Sequence, residues 1–293
     1  MSLSSPSGGI AVGVDGSPAC RVAVDFAARE AAMRNVPLLL CRVVPPAGSR
    51  MWPAVPAPER LVAWNEEQAH EQLADAEKLA LVSAPGIRVE RRLLSGVTVP
   101  TLVELSKDVQ LFVVGARGVG AIRAAVLGSV SLGLVQHARC PVAVVHDEDP
   151  LMEHPAQAPV LVGIDGSRAS ELATAIAFDE ASRRGVGLVA LHAWRDWGVG
   201  QWPDLDWDEM RTQGEETLSE RLAGWQERYP DVAVERVVVC DNPAEHLLER
   251  SDSCQLVVVG SHGRGGFPGM LLGSVAMKVV QSARMPVIVA RQS

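Results

Sequence analysis

Two kinds of stretch alternate along the chain. Short runs that are almost wholly apolar, such as Leu111-Phe-Val-Val-Gly115 and Leu256-Val-Val-Val-Gly260, are separated by longer segments whose apolar positions recur every three to four residues. β-Branched residues crowd the short runs, and unbroken hydrophobicity fits strands of a parallel sheet covered on both faces. The pattern predicts strands at 9–14, 37–43, 88–94, 111–115 and 142–145, with helices over 18–33, 59–83, 98–107 and 129–137. A second set follows, with strands at 160–164, 187–193, 233–239, 256–260 and 287–290 and helices over 169–184, 206–229, 243–251 and 274–283. Strand–helix alternation of this kind builds βαβ units, so the predicted fold class is α/β. Each set makes one doubly wound domain, a five-stranded parallel sheet with helices on both faces.

The two sets are one pattern written twice. Ile10-Ala-Val-Gly-Val-Asp-Gly-Ser17 returns as Val160-Leu-Val-Gly-Ile-Asp-Gly-Ser167, and Gln110-Leu-Phe-Val-Val-Gly-Ala-Arg-Gly118 as Gln255-Leu-Val-Val-Val-Gly-Ser-His-Gly263. A repeat this long is a duplicated domain rather than a solenoid. The predicted boundaries are 1–146, an acidic, proline-bearing linker at 147–159, and 160–293.

Composition narrows the classes. Across 293 residues, 27 Lys and Arg face 35 Asp and Glu, a formal net charge of −8, which argues against nucleic acid as a partner. No apolar run approaches the roughly 20 residues of a membrane-spanning helix. Residues 1–9 carry neither a basic stretch nor an apolar core of a secretory signal, so a cytoplasmic location is expected. Cys20, Cys41, Cys140, Cys240 and Cys254 are scattered and never in CxxC spacing, so they are expected to be small buried hydrophobes in a reducing compartment.

Candidate chemistry lies at the carboxyl ends of the predicted strands. Gly115-x2-Gly118, nine residues, then Gly128-Ser129 recurs as Gly260-x2-Gly263, nine residues, then Gly273-Ser274. Glycine allows a ligand to approach the main chain, and Gly-Ser before an amphipathic stretch reads as a helix N-terminus capped by Ser129 or Ser274. Bare amides at such a terminus favour an anion such as phosphate. A long turn with an ordinary serine cap is the alternative, which the recurrence disfavours. Asp15 and Asp165 close the first strand of each set, placed to accept from ribose hydroxyls or to hold a hydrated Mg²⁺. An Asx-turn or helix cap explains the same Asp-Gly-Ser. Arg117 and Arg264 either pair with a phosphate or are solvated loop charges, and His262 reads as a loop histidine. The other histidines show no metal-ligand spacing.

These residues resemble the ATP-binding branch of the universal stress protein family, over nearly the whole chain and in its tandem-domain, mycobacterial-type form. The resemblance implies ATP, with or without Mg²⁺, held by Asp15, Gly115, Gly118, Gly128, Ser129 and Val130 in the first domain. In the second it implies Asp165, Gly260, Gly263, Gly273, Ser274 and Val275, with adenine against the backbone near Val43 and Ala193. It also implies that strands 142–145 and 287–290 pair with each other, leaving homodimerisation open, and a regulatory role in stress, hypoxia and dormancy with no named protein partner. Enzymes of related nucleotide-binding folds want HxGH, Ser-Gly-Gly-x-Asp-Ser or GxxxxGK[ST], and none is present, so hydrolysis of ATP is expected to be slow at most. Domains with empty clefts would lack the glycines. The first loop departs from its twin, with Ala121-Ile-Arg-Ala-Ala-Val where the second has Phe267-Pro-Gly-Met-Leu-Leu. Trp194, Trp197, Trp202 and Trp207, opposite the proline-rich 45–58 with Trp52, read as a lid, an interface patch or a cover for the sheet.

Overall fold

A computed structural model describes residues 8–46, 50–52, 55–56, 59–118, 127–146, 155–193, 207–264 and 271–291. Two compact units divide the chain, Met1–Asp147 and Glu148–Gln292. The first runs β1 (Ile10–Gly13), α1 (Pro18–Arg34), β2 (Leu38–Val44), β3 (Arg50–Trp52), β4 (Val55–Pro56), α2 (Glu59–Ser83), β5 (Val89–Ser95), α3 (Thr98–Leu105), β6 (Leu111–Gly115), α4 (Ser129–His137) and β7 (Val142–Val145). The second runs β8 (Val160–Gly163), α5 (Arg168–Arg184), β9 (Leu188–Ala193), α6 (Trp207–Leu222), α7 (Trp225–Arg228), β10 (Val234–Val239), α8 (Pro243–Ser251), β11 (Leu256–Gly260), α9 (Ser274–Ser282) and β12 (Val287–Ala290).

Strand order in the first unit is β5-β2-β1-β6-β7, all parallel, with Ile10 level with Leu38 on one side and Leu111 on the other. The second repeats it as β10-β9-β8-β11-β12, Val160 lying level with Leu188 and Leu256. In each, the order reverses between the first and fourth long strands, β1/β6 and β8/β11. Successive helices leave that point in different directions and the chain must part. Helices α1 and α2 pack together, as do α3 and α4, and strands β6, β7, β11 and β12 are buried along almost their whole length. The predicted doubly wound sheets are therefore present twice. The outer strands β5 and β10 are half-exposed and carry Arg91, Arg92, Glu235 and Arg236, charges that blunt an open sheet edge.

Local chemistry explains the helix bounds. Ser17 caps α1 by accepting from Cys20 N–H with Pro18 in the first turn, and Ser167 caps α5 by accepting from Ser170 N–H. Both helices end on a left-handed residue, Asn35 at φ 52° and Gly185 at φ 65°. Alanines at 19, 23, 27 and 31, and at 173, 177 and 181, are buried, which lets each helix lie close against its sheet.

Three elements differ from the sequence expectation. The helix predicted over 206–229 breaks after Leu222, because Gly224 takes φ 79° and turns the chain so that Trp225 and Tyr229 stack on the buried Phe178 with centroids 5.6 Å away. The helix predicted to reach 107 ends at Leu105 and tightens into a 3₁₀ turn, Ser106–Asp108, where Ser106 Oγ donates to the Val103 carbonyl and accepts from Arg139 N–H. A small antiparallel pair, β3 with β4, stands in the proline-rich 45–58. Cys20, Cys41, Cys140 and Cys254 are buried as expected, whereas Cys240 is exposed. Burial pushes the thiols of Cys41 and Cys140 up to about 12 and that of Cys254 to about 11, which keeps them protonated and inert. Among the described residues no helix is long and apolar enough to cross a membrane. Trp194, Trp197, Trp202, the first-loop segment 121–126, residues 265–270 and most of the linker lie outside the described residues.

Candidate functional site

The parting of the chain between β1 and β6 opens a cleft of ≈ 930 Å³ in the first unit. Val14 and Asp15 after β1, Arg42 and Val43 at the end of β2, Leu102 of α3, the Arg117–Gly118 turn and the start of α4 at Gly128–Ser131 line it. Asp15, Val43, Gly115, Arg117, Gly118, Gly128, Ser129 and Val130, expected from the sequence to act together, all line this one cleft.

The glycines divide into three jobs, which spacing alone does not separate. A Cβ on Gly115 would lie 2.8 Å from the Ala19 backbone, and one on Gly260 would lie 2.9 Å from that of Ala169. Those two glycines admit α1 and α5 against the sheet, a packing role that the spacing does not reveal, and Gly115 lines the cleft as well. A Cβ on Gly118 would lie 2.6 Å from Asp15 Oδ2, and one on Gly263 2.6 Å from Asp165 Oδ2, so each turn must be bare for the carboxylate to sit beneath it. A Cβ on Gly128 would meet nothing closer than 3.6 Å, and one on Gly273 nothing closer than 3.4 Å. That open edge is space in which a ligand would meet main chain.

Gly128 at φ −62°, ψ 152° and Gly273 at φ −70°, ψ 154° are the N-caps of α4 and α9, without a side-chain cap. The expected serine caps are thereby corrected: Ser129 and Ser274 are the first helical residues, exposed, and their hydroxyls are not spent on the terminus. The first intrahelical bonds run from Leu132 N–H to Gly128 O and from Met277 N–H to Gly273 O, both 2.9 Å. The amides of residues 129–131 and 274–276 precede them and open forward from the helix. Ser131 Oγ donates to the Gly115 carbonyl at 2.6 Å and ties the helix start to the end of β6.

The Asx-turn reading of the aspartates holds in both copies. Asp15 Oδ1 accepts from Ser17 N–H at 2.9 Å and Asp165 Oδ1 from Ser167 N–H at 2.8 Å, an Asx-turn in each copy. The turn aims Oδ2 at the glycine loop, where Asp165 Oδ2 accepts from Arg264 N–H at 3.2 Å. Ser17 Oγ and Ser167 Oγ donate to the carbonyls of Arg117 and His262, joining the two loops of each site. Among the described residues no group of three His, Cys, Asp or Glu converges to hold a metal ion.

Three residues lining the first cleft were not singled out from the sequence, Arg42, Gln72 and Cys20, whose counterparts in the second unit are His192, Arg221 and Ser170. They reach the site from β2, α2 and α1, and nothing in their spacing marks them. Arg42 Nη1 donates to the Val14 carbonyl at 3.3 Å, whereas His192 Nδ1 lies 2.6 Å from the Ile164 carbonyl. Burial pushes the His192 pKa down, with the Ile164 bond and Asp165 opposing and Arg264 adding to the fall, which favours neutral imidazole beneath the second site. In the second unit a cavity of ≈ 390 Å³ lies beside the start of α5, lined by Ser167, Leu172, His262, Gly263 and Arg291. Of the expected second-site residues only Gly263 lines it. Asp165, Gly260, Gly263 and Gly273 keep the same mutual contacts as in the first unit, and Ala193 ends β9 next to them.

The family model of the universal stress protein family matches residues 8–146 and 158–291, one match for each repeat. The chain belongs to the universal stress protein family. Universal stress protein Rv2623 of Mycobacterium tuberculosis is 54% identical over 296 residues, covering 100% of this chain and 99% of that protein. Universal stress protein Rv2005c of the same species is 54% identical over 288 residues, 97% of each chain. A universal stress protein crystal structure from Archaeoglobus fulgidus superposes with a TM-score of 0.74 at 19% identity, over 99% of this chain and 100% of that one, and shows the shared fold. Both halves are thus universal stress protein domains in tandem, which the full-length mycobacterial relatives share.

Proposed function

We propose that the protein is a nucleotide-dependent regulator of the stress and dormancy response that binds ATP in each of its two universal stress protein domains. One observation carries the reading. In the first cleft the bare Gly118 turn and the open amides of residues 129–131 face one another across Gly128, whose Cβ-free edge leaves room for an anion between them. Main-chain N–H groups on a helix N-terminus suit a phosphate chain, and Asp15 Oδ2 on the strand side suits a ribose hydroxyl. The cleft is within the size range of small-molecule sites, and Val43, buried at the end of β2, offers backbone and an apolar wall to a planar base. The second domain keeps the same carboxylate, turn and helix cap, so the same ligand class is assigned to it. Among the described residues no group of three His, Cys, Asp or Glu gathers at Asp15 or Asp165, so Mg²⁺ would arrive with the nucleotide and take most of its oxygens from phosphate and water.

Mass spectrometry of small molecules released on denaturing freshly purified protein tests this. Adenine nucleotide at one to two equivalents per chain is expected. Release of none, together with no heat on titration with millimolar ATP, would remove the reading. Phosphate released from ATP at a rate abolished by Gly128→Ala would make the protein an ATPase as well.

A further inference from the structure

The two domains share a backbone but not the side chains above the Asp-Gly-Ser turn. A Cβ built on Gly16 would lie 2.9 Å from Gln72 Nε2, a neutral amide reaching over from α2. A Cβ built on Gly166 would clash with Arg264 Nη2 and lie 3.1 Å from Arg221 Nε. Gln72 and Arg221 hold corresponding places on α2 and α6, so over the Asp-Gly-Ser turn the first domain has a neutral amide, its Arg42 and Arg117 lying elsewhere on the cleft wall, where the second has two converging guanidinium groups.

Two like charges aimed at one backbone position repel unless an anion lies between them. The carboxylates nearby do not fill that place. Both oxygens of Asp165 accept main-chain N–H groups, from Ser167 and Arg264. Glu171 pairs with Arg221 at 3.2 Å, but both side chains are exposed, 58% and 39%, and such a pair is easily exchanged. Among the described residues no ion pair engages the Arg264 guanidinium. The point of convergence adjoins Gly263, whose turn borders the open amides of 274–276. A phosphate chain laid along those amides would direct its far end toward the two arginines, and guanidinium is the side chain best matched to phosphate oxygens.

We propose that Arg221, with Arg264, makes the second site selective for phosphate number, taking a nucleoside triphosphate in strong preference to the monophosphate, while Gln72 leaves the first site without that selectivity. This rests on the nucleotide-binding reading above. Glu171 is the resting counter-ion that the terminal phosphate displaces.

The test uses the full chain carrying Gly118→Ala, so that the second site is titrated alone with ATP and with AMP by calorimetry at fixed ionic strength. Arg221→Gln, which installs the first domain's group, is expected to weaken ATP at least about tenfold and leave AMP unchanged. Glu171→Gln removes the competitor and is expected to tighten ATP alone. In a Gly263→Ala background, Gln72→Arg is expected to give the first site a triphosphate preference. An Arg221→Gln protein that binds both nucleotides as its parent does, or loses both equally, overturns the inference and leaves the nucleotide reading standing. A parent that binds neither nucleotide removes both. Should Arg221→Gln misfold by circular dichroism, the exposed Glu171→Gln decides, and unchanged ATP affinity overturns the proposal.

Discussion

Gly128→Ala separates ligand binding from folding more cleanly than any other substitution in the first site. In the free protein the added methyl meets nothing nearer than 3.6 Å, with Ala116 O, Gly118 N and Ser131 Oγ at that distance. The backbone at φ −62°, ψ 152° is ordinary for alanine. Loss of a favourable N-cap residue and the smaller entropy of the unfolded alanine chain oppose each other at about 0.5 kcal/mol each, so stability should change little. A melting shift within about 2 °C follows for a domain of this size. The ligand has no such tolerance. A phosphate oxygen bonded to Gly118 N–H needs about 2.9 Å of approach on the edge the methyl takes. Losing one such charge-assisted bond costs about 1.5–3 kcal/mol, or roughly ten- to a hundredfold in affinity. Calorimetric titration with ATP in a Gly263→Ala background, beside a circular dichroism melt, reads both quantities. ATP affinity within about twofold of the parent with an unchanged melt would refute the placement of phosphate on this edge. Gly115→Ala is the contrasting control: its Cβ meets the Ala19 backbone at 2.8 Å, so it should lose about 1–3 kcal/mol of stability through displacement of α1.

Two further outcomes are expected. Because burial lowers the His192 pKa, the folded second unit binds fewer protons than its unfolded chain below about pH 6.5, so stability is complete above that pH and falls as pH drops through it. His192→Gln should flatten that acid limb, whose slope is at most about 1.4 kcal/mol per pH unit, and an identical slope in urea titrations of the two proteins would contradict the assignment. Glu30 is fully buried and pairs with Arg34 at 3.3 Å, as Glu180 does with Arg184 at 3.1 Å, so Glu30→Gln, which removes the charge facing that guanidinium, should cost about 1.5–3 kcal/mol. Asp75→Asn, which breaks an exposed pair with Lys78, should cost less than about 0.5 kcal/mol, and equal effects of the two in urea denaturation would count against the burial argument.

The strands and most helices were legible because periodicity is local. The run Leu111–Gly115 is apolar throughout since helices cover both its faces, and its bounds in the structure are those read from the chain. Helix α6 was overrun because Gly224 inside a helical pattern declares a break only when a partner, here Phe178, rewards the turn. The 3₁₀ turn at Ser106 escaped for the same reason, its hydroxyl being held by Arg139 N–H from another element. In the site, recurrence of the glycine spacing was enough to bring Asp15, Gly118 and Gly128 together, but a serine after a glycine looks like a cap until the backbone angles show the glycine in that role.

The sequence by itself determined the duplication, the α/β class, most strand and helix positions and the candidate residues that line the first cleft, because each rests on residue type and its recurrence along the chain. Only the tertiary structure decided which glycine admits a helix, which one shelters a carboxylate and which leaves open space, and that Gln72 roofs one site where Arg221 roofs the other. Those facts depend on contacts between groups some fifty to a hundred positions apart, such as Ser17 Oγ with the Arg117 carbonyl, and such distances do not exist until the sheet has closed.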